Sequence, residues 1–299
     1  MSADVSAVEG AAPPPAPQQV WSSREAHGLL FSLREIWQFR ELMWTLSLRS
    51  LKSRYRQTLF GASWAIIQPL TLTVVFTLVF GKFAKVDTHG EYYPLFAYTA
   101  MLPWQLFSNI VTRGSNSVLE NGAIVKKVYM PREVCPLSSI LVCLVDFAVA
   151  SLALVIFMVL GHKAPTPLLL YLPVLLLVEI LLALGVILFL SAVGVFYRDV
   201  GYGLPLVLQL GMLVSPVPYD VAWVGKNYPQ YVNWYMLNPM ASIVDGFRQI
   251  VVNQQMPRWD YLPYSPWVYM AYSAGVALLF MWAGYWYFKR EEGRFADVL

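Results

Sequence analysis

Charge is what this chain has least of. Asp, Glu, Lys and Arg supply 13% of its 299 residues, against 58% hydrophobic and 15% aromatic, and mean hydropathy is +0.52. So little charge cannot coat a soluble globule, and the long apolar runs make the chain an all-α integral membrane protein. Thiols are equally scarce. Cys135 and Cys143 stand eight apart in or beside one apolar run, without CxxC spacing, which excludes a disulfide framework and a thiolate metal centre. The three histidines, His27, His89 and His162, are scattered through loops, and neither HExxH nor GxSxG occurs. No catalytic or metal site is therefore expected. GxxxxGK[ST] is absent too: Gly81-Lys82 and Gly225-Lys226 are followed by Phe83 and Asn227. The chain has no P-loop of its own and needs no cofactor. A net charge of +3 is too mild to imply nucleic acid.

What is there is organised by apolar runs. Residues 1–20 are Ala- and Pro-rich, lack the basic and apolar regions of a cleavable signal peptide, and read as a disordered tail. Residues 21–58 mix Leu33, Ile36, Trp37, Leu42 and Trp44 with Arg34, Glu35, Arg40, Glu41 and Arg54. Too charged to span, they predict an amphipathic helix in the membrane interface, facing lipid. Packing against a soluble partner is the alternative. Six spans are predicted within residues 59–288, at about 59–80, 94–112, 137–160, 168–196, 202–218 and 267–288, near the ~20 apolar residues a crossing needs. Lys and Arg between these spans divide fifteen to six in favour of the side holding both ends. The positive-inside rule then places both termini, including the tail 289–299, in the cytoplasm.

Between the last two spans, residues 219–265 hold a short amphipathic helix. Asn238 suits an N-cap and Pro239 the first helical position. Behind them Met240, Ile243, Val244, Phe247, Ile250 and Val251 recur on one face, and Asp245, Arg248 and Gln249 interrupt the other. Such a helix is too short to cross, and is expected to lie at the outer membrane surface or dip partway in. Asp245 and Arg248, three apart, are placed for a local ion pair. Asp146 and Glu179 are the only acids deep inside predicted spans, at similar expected depths, and no basic residue is expected at that depth. Each either faces a wet passage or holds helices together through a hydrogen bond.

Six stretches carry a family likeness: RYRQTLFGASWAIIQPL (Arg54–Leu70), NGAIVKKVYMPREVCPLS (Asn121–Ser138), FYRDVGYGLPL (Phe196–Leu206), SPVPY (Ser215–Tyr219), LNPMASIVDGFRQ (Leu237–Gln249) and FKREEGRFADVL (Phe288–Leu299). In that order, the chain resembles the permease subunit of ABC exporters for bacterial polysaccharides, of the kind that moves lipid-linked O-antigen. The likeness covers nearly everything after about Leu33. It implies a homodimer of six-span permeases on two separate ATPase subunits that hold ATP and Mg, with re-entrant helices before the last span. It also implies a place in the bacterial inner membrane and a polyprenyl-linked polysaccharide as cargo.

On that likeness, residues 115–132 form a coupling helix, with Ile124, Val125, Val128 and Tyr129 beside Glu120, Lys126 and Lys127, and Arg198-Asp199 makes a second ATPase contact. An ordinary basic loop that fixes topology would carry the same residues. A sugar passage needs aromatic faces and weak polar contacts. Tyr98, Trp104, Gln105, Asn109, Asp146 and Glu179 are the lining candidates, although Tyr and Trp near span ends also serve as belt anchors. Asn238, Pro239, Asp245, Phe247 and Arg248 form the expected outer gate, or anchor a helix in the interface. Capsule, teichoic acid, lipid or drug export on the same scaffold remains open. A multi-span glycosyltransferase would need an acidic or histidine site, and a passive channel would need no ATPase.

Overall fold

The computed structural model describes residues 35–56, 58–86, 88, 90–127, 129–257, 262 and 264–295. The expected tail 1–20, the start of the interfacial helix, His27, His89 and Val128 lie outside the described residues. Helix α1 (Arg40–Tyr55) packs along α4 (Val134–Leu160). Ser47 Oγ, buried, donates to the Ser138 carbonyl at 3.0 Å, while Trp44 on the other side stays exposed. One buried polar contact and an exposed indole are what an interfacial helix needs to lie against a bundle.

Helix α2 (Trp64–Phe76) follows a tight turn at Gly61, whose φ of +50° suits a residue without Cβ. It runs on through a π-helical stretch, Thr77–Phe83. Next come α3 (Tyr93–Glu120), α4, α5 (Leu172–Phe196) and α6 (Asp199–Val214). Two short helices, α7 (Val221–Asn227) and α8 (Pro239–Val251), precede the last long one, α9 (Pro266–Glu291).

Four helical stretches among the described residues are long and apolar enough to cross a membrane: Gly61–Phe83, Val134–Leu160, Pro167–Phe196 and Pro266–Arg294. Their outward faces carry Leu152, Ile156, Val174, Leu177, Leu279 and Trp282, all exposed, as lipid-facing surfaces should. The other two expected spans differ. Helix α3 has 28 residues but carries Gln105, Asn109, Arg113 and Asn116, so its mean apolarity is low. Its first half is nearly all buried, because α2, α4, α5, α6 and α8 all pack on it. Helix α6 is apolar but only 16 residues long, about 24 Å at 1.5 Å per residue.

The tightest crossing joins α5 and α9. A Cβ built on Gly284 would lie 2.1 Å from the Gly185 carbonyl oxygen, and one on Gly185 would lie 2.3 Å from the Met281 nitrogen. The two backbones touch, which only glycine at both positions allows. At one end of the bundle Val118, Met130, Leu188, Val195, Phe288 and Phe295 form a single cluster. At the other end Lys163 Nζ pairs with Glu91 at 2.7 Å and Gln254 donates to the Ala164 carbonyl at 2.5 Å. Loops expected on one side of the membrane therefore sit together.

Candidate functional site

Helix α8 is built into the protein. Asn238 caps it, accepting from the Met240 N–H at 3.0 Å and donating to Ser215 Oγ at 3.0 Å. Pro239 takes the first turn, and every residue from Met240 to Val251 is buried. Of the two expected placements, at the outer surface or dipping partway in, burial on both faces disfavours the first, because the polar face has partners inside. The Ser215–Tyr219 segment contains Pro216 and Pro218, which keep it from continuing a helix; the Val217 N–H serves the Ser215 carbonyl at 2.7 Å, and the carbonyls of Pro216, Val217 and Tyr219 turn to side-chain donors. Arg248, 1% exposed, supplies those donors. Its Nη2 donates to the carbonyls of Pro216 at 2.7 Å and Val217 at 2.8 Å. Its Nη1 donates to the Tyr219 carbonyl at 2.8 Å.

The ion pair of Arg248 with Asp245 forms, at 3.3 Å, and Gln249 Nε2 donates to the other Asp245 oxygen at 2.8 Å. The guanidinium carbon lies 3.9 Å from the centre of the Phe96 ring. Tyr93 completes the collar by donating to the Pro218 carbonyl at 2.9 Å. Phe247 packs in the core with Trp104, Leu175 and Leu182. A buried arginine with this many partners is a clamp, since each unmet donor or charge would be costly at this depth. Asn238, Pro239, Asp245, Phe247 and Arg248 thus act as one unit, tied to α9 by Ser242 and Ser273 (Oγ to Oγ 2.6 Å).

The lining candidates separate. Tyr98 has no exposed surface, donates to the Ala150 carbonyl at 2.8 Å and packs against Phe157. It joins α3 to α4 and offers no face to a passage, a correction to its expected role. Trp104 is also buried, with its ring edge at Gly211 of α6, where a larger residue would collide. Glu179 lies in the core with no exposed surface. Neither of its carboxyl oxygens has a side-chain partner among the described residues, and the Phe107 backbone is the polar group it faces. Gln105 and Asn109 remain half-exposed and share a cleft with Asp146.

Asp146 does have a basic partner, contrary to expectation. Arg54 Nη1 forms an ion pair with its Oδ2, and the Tyr55 hydroxyl donates to its Oδ1. Both come from the last turn of α1, which bends its C-terminal end onto the middle of α4. The signal was present in RYRQ, since an acid inside a span calls for a cation and Arg54 ends an interfacial helix.

At the opposite end from α8 the expected coupling residues are exposed: Glu120, Lys126, Lys127, Arg198 and Asp199. They do not lie on one continuous helix. Ser115–Glu120 belongs to α3 and, among the described residues beyond it, Gly122–Val125 forms one short turn of helix; Ile124 and Val125 pack onto the cluster with Phe288 and Phe295. Both stay half-exposed, and Lys126, Lys127 and Tyr129 face outward. Behind them Glu133 pairs with Lys289 Nζ at 2.5 Å. Burial first, and the Glu292 carboxylate second, raise the Glu133 carboxyl above its usual range, with Lys289 opposing both.

A bundle that is helical throughout its described residues, with four stretches able to cross a membrane and apolar outward faces, defines a multi-pass membrane protein. The family model described as ABC-2 type transporter matches residues 41–252, most of the chain, and the chain belongs to that family. It is similar to the O-antigen export system permease protein RfbA of Myxococcus xanthus, 27% identical over 268 residues, covering 89% of this chain and 98% of that one. The protein of the same name from Klebsiella pneumoniae is 25% identical over 260 residues, covering 87% and 95%. The polysialic acid transport protein KpsM of Escherichia coli is 23% identical over 208 residues, covering 69% and 80%.

Proposed function

We infer that this chain is the membrane subunit of an ABC exporter that moves a lipid-linked polysaccharide of O-antigen type across the inner membrane of a bacterium. The observation that carries the reading is its alignment along nearly the whole length of two O-antigen export permeases. On this reading two copies form the passage, and each makes six crossings with both termini in the cytoplasm. Helix α3 tolerates its polar residues because neighbouring helices cover it. Helix α6, at 16 residues, crosses with help from the proline-containing Ser215–Tyr219 segment. Two separate ATPase subunits hold ATP and Mg. They dock at the end that carries Lys126, Lys127, Arg198 and Asp199, where exposed charges surround a packed apolar base. Helix α8 and its clamp close the outer end at rest.

Similarity to a polysialic acid transporter favours a second reading, export of an acidic capsule-type polymer on the same scaffold. Deleting the gene and restoring it with the partner ATPase tests both. Surface glycan should vanish and return, and its composition distinguishes the two cargos. Unchanged surface glycan would reject both.

A further inference from the structure

Helix α9 does not run straight out of the bundle into solvent. After Glu291 the chain turns through Glu292–Arg294 and brings Phe295 back against the protein, where its ring has no exposed surface. Phe295 meets Phe288 of its own helix, ring centres 5.4 Å apart, and Phe196 at the end of α5, 6.1 Å apart. Arg132, in the loop before α4, holds its guanidinium carbon 5.6 Å from the centre of the Phe295 ring. Ile124 and Val125 of the same loop pack onto this cluster. One apolar base therefore underlies both exposed charged stretches, Lys126-Lys127 and Arg198-Asp199.

Charge fixes the same tail. Lys289 Nζ pairs with Glu133 at 2.5 Å and with Glu292 at 2.9 Å, and Glu133 is almost wholly buried. A carboxylate so placed is costly without its partner, so the start of α4 and the end of α9 are held to each other. Finishing α9 would not require the chain to turn back. This tail returns and joins the 121–133 loop, α4 and α5.

We propose that residues 289–295 form a hook that makes the two ATPase-facing stretches move as one body and passes their movement into α9. The inference rests on the export reading above and adds the residues that position the coupling surface. A push on either stretch reaches the same base, because close-packed side chains transmit displacement instead of absorbing it. From there α9 acts as a rod. Gly284 seats it against α5. Ser273, about 24 Å along the helix from Lys289 at 1.5 Å per residue, meets Ser242 of α8, Oγ to Oγ, at 2.6 Å. One helix thus runs from the charged end to the clamp. Phe295, Lys289 and Glu133 are positioning residues, acting through that helix and not on the cargo.

The test compares glycan exported per ATP hydrolysed in sealed vesicles that hold the full chain with its ATPase partner. Phe295→Ala removes the ring, and Lys289→Glu sets a third acid beside Glu133 and Glu292. Both variants should still co-purify with the ATPase and hydrolyse ATP, while glycan per ATP falls about tenfold. Phe295→Leu keeps an apolar side chain in the cluster, and Lys289→Glu with Glu133→Lys restores the pair in reverse. Both should recover most of the loss. A role confined to stability would lower yield, hydrolysis and export together and leave glycan per ATP unchanged. That result would overturn the hook, as would loss of the ATPase from the variants or an equal defect in the reversed pair. Lys289→Glu decides the matter where Phe295→Ala does not fold. Absence of any glycan export by the unaltered chain with its partner would instead reject the function on which the proposal rests.

Discussion

Arg248 ties several segments of this structure together. It meets three carbonyls of a proline-interrupted segment, a carboxylate and an aromatic face, where a lysine presents one ammonium on a flexible stem. Arg248→Lys should therefore lower stability in detergent by about 3 kcal/mol; an unchanged thermal midpoint would contradict the clamp. Glu179 makes the opposite prediction. Its carboxyl oxygens lack side-chain partners, so Glu179→Met should raise stability by about 1–3 kcal/mol. A stabilised variant that no longer exports would assign the carboxyl to transport; a destabilised one would show that it has partners unseen here.

The sequence located these residues better than it located their surroundings. Asp245 and Arg248 were legible as a pair because three residues separate them on a helix. Arg54 and Asp146 were not, since 92 residues separate them and only tertiary packing brings α1 over α4. Tyr98 misled for a related reason. An aromatic near a predicted span end looks the same whether it faces lipid, a passage or a neighbouring helix.

Among the elements, α8 has its expected cap and nearly its expected limits, and what the sequence leaves open is whether its polar face meets solvent or protein. Periodicity identifies an apolar face, but the partner of the polar face can be water or buried carbonyls, and the pattern is identical. Helix α3 was read as a span ending at 112 and continues to Glu120, because its polar second half no longer signals burial. Two elements allow direct tests. Gly284→Leu places a side chain where a single Cβ already meets the Gly185 carbonyl at 2.1 Å. It should separate α5 from α9, cost about 3 kcal/mol and reduce yield; normal yield and midpoint would contradict that crossing. A disulfide through Ser242→Cys and Ser273→Cys would fix α8 to α9. Export should stop on oxidation and return on reduction, and export through the locked chain would show that α8 need not move.

For the whole molecule, the two ends differ in chemistry. One end holds the clamp of α8, and the other presents exposed charge over the cluster of Phe288 and Phe295. Composition alone made the class legible, because a chain this poor in charge has few other states. The charged residues of the expected coupling surface stand exposed, while the packing of Ile124 and Val125 against Phe288 and Phe295 depends on the α9 tail, which the loop's own pattern does not reveal. Lys126→Glu with Lys127→Glu should weaken co-purification of the ATPase subunit and lower transport, leaving stability within about 0.5 kcal/mol as expected for exposed positions. Unchanged co-purification would move the contact elsewhere. The account's central claim is a conduit without its own engine, and reconstituted export tests it most directly. Lipid-linked glycan in one leaflet of sealed vesicles should cross with ATP only when this chain and its ATPase partner are both present. Crossing without the partner, or ATP hydrolysis by this chain alone, would contradict it.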